Sequence, residues 1–215
     1  MIYCIGDSFT YGDELSDTAQ AWPTVLGKQL DTPITNLGRC ACGPKRIIKR
    51  AIDCTFAGDA DVIIVAWTNP VRVEMSDSQG IYDIWPGRVS AHLGPPRHII
   101  IKTVTAGWTD KNDQWIYRNW LRDVILLQTF FKYHNQRYIM LQSHWSHELS
   151  KLYLEQNQEL VKQIDPTYFL GWPFESMMEW TVGVDRGPNG HFLEEGHAKV
   201  ADKIYEYIRH LGWVS

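Results

Sequence analysis

Four residues, far apart in the sequence, could together perform acyl transfer: Ser8, Gly38, Asn69 and His191. Ser8 follows an apolar segment, Ile2 to Ile5, that reads as a short buried strand halted by Gly6-Asp7. A serine just past the carboxyl end of a first strand lies at the edge where α/β sheets bind ligands. Gly6 permits a tight turn, and Asp7 can hydrogen-bond the neighbouring backbone to hold it. A serine hydroxyl is a weak nucleophile near neutral pH, so an imidazole must accept its proton, a role open to His191. The tetrahedral oxyanion then needs donors, which the backbone amides of Ser8 and Gly38 and the carboxamide of Asn69 could supply. A glycine at 38 lets the backbone approach closely. Three further residues near these loops are candidate substrate contacts. Trp67 is one of several tryptophans expected in exposed loops, with Trp85, Trp108, Trp145 and Trp172. Arg72 could recognise a carboxylate or phosphate, and His144 follows a strand at the same edge.

The elements that must position these residues alternate between strand and helix. Helical spacing of apolar residues predicts a helix over Ala19 to Leu30, with Pro23 near its start. Pro33 to Leu37 reads as a second strand. Pro44 to Ala57 carries Ile47, Ile48, Ala51, Ile52 and Phe56 on one stripe. The unbroken Val62-Ile63-Ile64-Val65 within Asp61 to Trp67 predicts a third strand, buried on both faces as in a parallel sheet. Pro70 to Asn112, rich in glycine and proline, reads as an insertion over the active edge. A long helix over Asp113 to His134, a strand over Arg137 to Gln142 and a helix over Leu149 to Ile164 follow. Thr167 to Leu170 could add a fifth strand, and His191 to Leu211 closes the chain as an amphipathic helix. This order predicts the α/β class, a parallel sheet of about five strands covered on both faces. No linker separates two cores, so residues 1–215 are expected to form a single domain.

The constellation resembles the SGNH hydrolases, the GDSL-type esterase and lipase superfamily. Gly6-Asp7-Ser8-Phe9-Thr10-Tyr11-Gly12 is similar to its first block, Asn36-Leu37-Gly38 to its second and Trp67-Thr68-Asn69-Pro70 to its third. Asn189-Gly190-His191, leading to Gly196-His197, is similar to its last. The third block and the compact layout also resemble small SGNH proteins encoded by phages. The resemblance implies a three-layer α/β/α sandwich of flavodoxin type. It also implies hydrolysis of esters, including acetyl groups on carbohydrates, without cofactor or metal. Two positions depart from the pattern: Ala66 and Pro70 alter the third block, and Pro188 stands where an aspartate usually precedes the histidine by three residues. Asp185 could reach round to orient the imidazole, or the site could be a Ser-His dyad. Two other functions stay open. One is an acyltransferase on the same machinery; the other is a catalytically impaired module that binds glycan through aromatic loops.

Composition bounds these readings. Hydrophobic residues make up 44% and charged residues 21% of the chain, as in a globular protein. A formal charge of -4 and the lack of a basic run argue against nucleic acid as partner. No stretch is long and apolar enough to predict a membrane span, and the N-terminus lacks the pattern of a secretory signal. A cytoplasmic location, or one within a larger assembly, is expected. The four cysteines, at 4, 40, 42 and 54, are too few and too unevenly spaced for a disulfide framework or a zinc site. His144 and His147 lack the helical glutamate motif of a metal pair. His197 is a rival to His191 as the base, but its place after Gly196 suits a packing role better.

Overall fold

The computed structural model describes residues 1–77, 80–84, 110–144 and 147–214. Four strands form one parallel sheet in the order β2-β1-β3-β6: β1 (Ile2–Ile5), β2 (Ile34–Asn36), β3 (Val62–Trp67) and β6 (Tyr138–Gln142). Ile2 pairs with Ile34 on one side and Val62 on the other, and Ile63 pairs with Tyr138. Every residue of β3 and β6 is buried, which is why these segments are apolar without alternation.

Successive side chains of β3 point to opposite faces. Ile63, Val65 and Trp67 join a core with Ile47 and Ala51 of α3 (Pro44–Ala57) and Val124, Leu127 and Phe131 of α4 (Asp110–Tyr133). Val62, Ile64 and Ala66 join the opposite core, with Leu26 of α2 (Trp22–Leu30) and Val200, Ala201 and Ile204 of α8 (Glu194–His210). The α/β class and the layered, parallel architecture therefore stand as expected. The strand count is lower than expected. The segment at 167–170 contributes one parallel bridge, Phe169 to Met140, because a 3-10 turn over Pro166–Tyr168 leads into it.

The segment expected to be an insertion begins with an antiparallel hairpin, β4 (Val73–Asp77) and β5 (Gly80–Ile84). Residues 85–109, with Trp85, Trp108 and the Ile99–Ile101 run, lie outside the described residues, as does Trp145. Three short helices complete the order: α1 (Ser8–Tyr11), α6 (Gln158–Val161) and α7 (Met177–Trp180), with α5 (His147–Gln156) preceding α6. Among the described residues no helix is long and apolar enough to cross a membrane.

Candidate active site

The turn after β1 is built to present Ser8. A Cβ on Gly6 would lie 2.2 Å from Thr10 Oγ1 and 2.9 Å from Ala66 Cβ, so only glycine lets the chain fold back against β3 here. Asp7 caps α1, its Oδ1 accepting from Phe9 N–H at 3.1 Å. Gly12 ends that turn at φ 89°, donating its N–H to Ser8 O at 3.0 Å. Ser8 is thereby the first residue of a one-turn helix, and it lines a cavity of about 470 Å³ together with Ala41, Arg72, His144 and His191.

His191 Nε2 lies 2.8 Å from Ser8 Oγ. The histidine comes from the loop before α8, which is tied by Gly187 N–H to His191 O (2.8 Å) and Leu193 N–H to Asp185 O (3.0 Å). Its other ring nitrogen, Nδ1, faces Glu14 Oε2 at 2.7 Å. The same carboxylate accepts from Asn189 N–H (2.7 Å), Asn189 Nδ2 (3.1 Å) and His191 N–H (3.1 Å). The Glu14 side chain is only 9% exposed. Burial opposes its charge, yet the hydrogen bonds from Asn189 and His191 prevail and hold the carboxyl down at about 2. An ionised carboxylate only accepts, so Nδ1 carries the ring proton and Nε2 presents a lone pair to the Ser8 hydroxyl.

The sequence left two readings of the imidazole's partner, Asp185 or no carboxylate at all, and neither named Glu14. Asp185 is exposed, and it engages this loop through its backbone carbonyl. Glu14 occupies the place expected of Asp185 because residue 14 adopts φ 69° and because Gly187 leaves room for it. A Cβ at 187 would lie 2.6 Å from Glu14 Cδ. The available signal was faint: an acidic pair, Asp13-Glu14, directly after the serine block, and a glycine just before the histidine.

The Gly38 amide, expected to meet an oxyanion, is engaged within the fold. Gly38 N–H donates to Asn36 Oδ1 at 2.9 Å, and Asn36 Nδ2 donates in turn to Thr10 O at 2.8 Å. A Cβ at Gly38 would lie 2.3 Å from Tyr11 N, so this glycine permits strand β2 and α1 to approach. Ala41, by contrast, lines the cavity at φ 65°, and none of the described residues accepts from its N–H. Asn69 is half-buried, and its Oδ1 accepts from Val71 N–H at 3.0 Å.

Beneath Ser8, the fully buried Asp7 carboxylate gathers three strand ends. Its Oδ2 accepts from Thr68 Oγ1 (2.8 Å), Ser143 Oγ (3.0 Å) and Arg72 Nη1 (3.2 Å). His144 Nε2 is 3.3 Å from Arg72 Nη2, and burial pushes the imidazole of His144 below its ordinary range. The Phe9 ring separates the two histidines, 4.8 Å from His144 and 4.7 Å from His191. Arg72 and His144 thus belong to the cavity wall. Trp67 does not: it is 1% exposed and packs edge-to-face on Trp120 at 6.2 Å in the α3–α4 core. Its indole follows the face of β3 opposite Ala66, so strand alternation decides its fate.

His197 is a structural group. Its Nδ1 accepts from Trp22 N–H at 3.1 Å, capping α2 from α8. Burial, with the charge of His191 adding to it, lowers this imidazole to about 3. Cys40 also borders the cavity, and burial raises its thiol to about 11, with Asp13 reinforcing the shift. A thiol so raised stays protonated and is a poor nucleophile. Among the described residues no group of side chains could hold a metal ion.

No known family profile matches the sequence, and no curated protein is similar to it at the sequence level. Solved structures are similar in fold. The lipase/acylhydrolase from Enterococcus faecalis superposes with a TM-score of 0.58 at 11% identity, covering 100% of this chain and 96% of its own. A member of the lipolytic protein G-D-S-L family from Veillonella parvula superposes with a TM-score of 0.50 at 15% identity, covering 95% and 96%. The family two carbohydrate esterase from Clostridium thermocellum, in complex with cellohexaose, gives 0.53 at 13% identity, over 99% of this chain and 65% of that one. The chain therefore has the three-layer fold of the SGNH, or G-D-S-L, hydrolases.

Proposed function

We propose that this chain is a serine esterase in which Ser8, His191 and Glu14 act as a triad. The observation that carries the reading is one continuous line of hydrogen bonds, 2.8 Å from Ser8 Oγ to His191 Nε2 and 2.7 Å from His191 Nδ1 to Glu14. The fold shared with lipolytic and carbohydrate esterases supports it.

In the proposed cycle, His191 Nε2 takes the hydroxyl proton as Ser8 Oγ attacks the ester carbonyl. The oxyanion is met by Ser8 N–H, Ala41 N–H and Asn69 Nδ2. His191 then gives its proton to the departing alkoxide, leaving an acyl-serine. Water, deprotonated by the same nitrogen, attacks that acyl group, and the proton returns to Ser8 as the carboxylic acid leaves. Glu14 holds the ring and stabilises the imidazolium in both halves. Phe9 and Met178 on the cavity wall suit a short acyl group such as acetyl. A polyol or carbohydrate as the alcohol suits the polar wall, where Arg72, His144 and Asn189 stand. The non-catalytic, glycan-binding alternative drew its force from a missing carboxylate, and Glu14 removes that reason. Hydrolysis and transfer to an alcohol share every step up to the acyl-serine, and product analysis with added acceptors separates them.

Ser8→Ala is the decisive test. Wild type should hydrolyse p-nitrophenyl acetate and be labelled by a fluorophosphonate, whereas Ser8→Ala should do neither. Equal turnover by both proteins would refute the reading.

A further inference from the structure

Asp13 faces the reacting centre and takes no part in the proposed triad. Its Oδ2 lies 3.9 Å from His191 Nε2, the same nitrogen that faces Ser8, and its side chain is 40% exposed. It lines the cavity with Ser8 and His191. Its backbone is tied to the serine turn, Asp13 N–H donating to Ser8 O at 3.0 Å, and Cys40 stands beside it on the cavity wall. The carboxylate is therefore anchored to the nucleophile's own turn.

During acylation the leaving alcohol oxygen must come within hydrogen-bonding distance of His191 Nε2 to receive its proton, about 2.6–3.2 Å. A carboxylate oxygen this near that nitrogen stands beside the alcohol fragment. The acyl fragment is directed to the proposed oxyanion donors. A carboxylate offers acceptors only, so its natural complement is a hydroxyl on the carbon next to the ester oxygen. We infer that Asp13 selects esters of vicinal diols and polyols, by accepting a hydrogen bond from the free hydroxyl adjacent to the scissile ester. This inference rests on the esterase reading and specifies its alcohol. The selection operates in the transition state, when the leaving oxygen is held at Nε2, and so it raises kcat/KM for such esters. The same acceptor serves the reverse traffic, since an incoming diol would be oriented towards the acyl-serine by the same bond.

The test compares 1-monoacetylglycerol with propyl acetate, which share an acetyl group and differ in the hydroxyls. Wild type should favour monoacetylglycerol, and the ratio of the two kcat/KM values should fall about tenfold in Asp13→Ala, the scale of a hydrogen bond to a charged group at a partly exposed site. Both substrates are measured on one preparation, so the ratio is independent of the fraction folded. Asp13→Asn retains volume and one acceptor oxygen, and its ratio should fall between the two. It serves alone should the alanine variant not fold. A ratio equal in wild type and variants would overturn the role of Asp13 and leave the esterase reading intact. Failure of wild type to hydrolyse either ester, or p-nitrophenyl acetate, would overturn the esterase reading and this inference with it.

Discussion

In the proposed triad Glu14 acts on Ser8 only through the imidazole between them, so its removal should alter the chemistry and leave binding alone. Glu14→Gln keeps one oxygen, enough for the Asn189 amides or for the His191 amide but not both, and no longer fixes the Nδ1 proton. Loss of the correct tautomer and of the charge opposite the imidazolium should lower kcat by about 10³–10⁴. KM should hardly move, the melting temperature should fall with the hydrogen bonds lost, and Asp185→Asn should retain wild-type kcat. Steady-state kinetics on p-nitrophenyl acetate check both. Ser8 and His191 were legible because strand ends and motif order place them without help from side-chain packing. Glu14 was not, because its role depends on a positive φ and on a contact with a loop 177 residues away. The engagement of the Gly38 amide by Asn36 was illegible for a related reason. Sequence logic assigns glycine wherever backbone must come close, but here Gly38 meets that need in packing while Ala41 borders the cavity.

Helix α2 shows how one element couples to the titration of a single side chain. Its first amide, Trp22 N–H, is satisfied by His197, which must be neutral to accept. The imidazole has a folded value of about 3 against an ordinary 6.5, so the unfolded chain takes up a proton first as pH falls. The stabilisation is complete above 6.5 and is lost progressively on the way down to about 3. His197→Asn, whose Oδ1 can replace Nδ1 as acceptor, should flatten the slope of stability against pH between about 6.5 and 5. Urea denaturation at several pH values reads this directly; equal slopes would count against the assignment. Strands and helices were legible because apolar runs and stripes reflect burial that the sheet imposes. The fifth strand was misjudged because a 3-10 turn takes up Pro166–Tyr168 and leaves Phe169 a single bridge to Met140.

At the scale of the molecule, two apolar layers clamp the sheet and thereby fix the loops above it. Ile64, fully buried against α2 and α8, stands in the central part of that clamp. Ile64→Ala should cost about 2–5 kcal/mol, from lost burial and the cavity left behind, without changing kcat of the molecules that remain folded. Denaturant titration paired with active-site counting by fluorophosphonate checks this. Asp7 extends the clamp into the site, since Thr68 and Ser143 bring the ends of β3 and β6 to the turn that carries Ser8.

The nucleophile and its distant carboxylate lie within one short N-terminal stretch, residues 8 to 14, whereas the imidazole between them arrives from residue 191. In the proposed cycle, a chain emerging from the ribosome would therefore carry an unarmed serine until residue 191 is made and its loop docks.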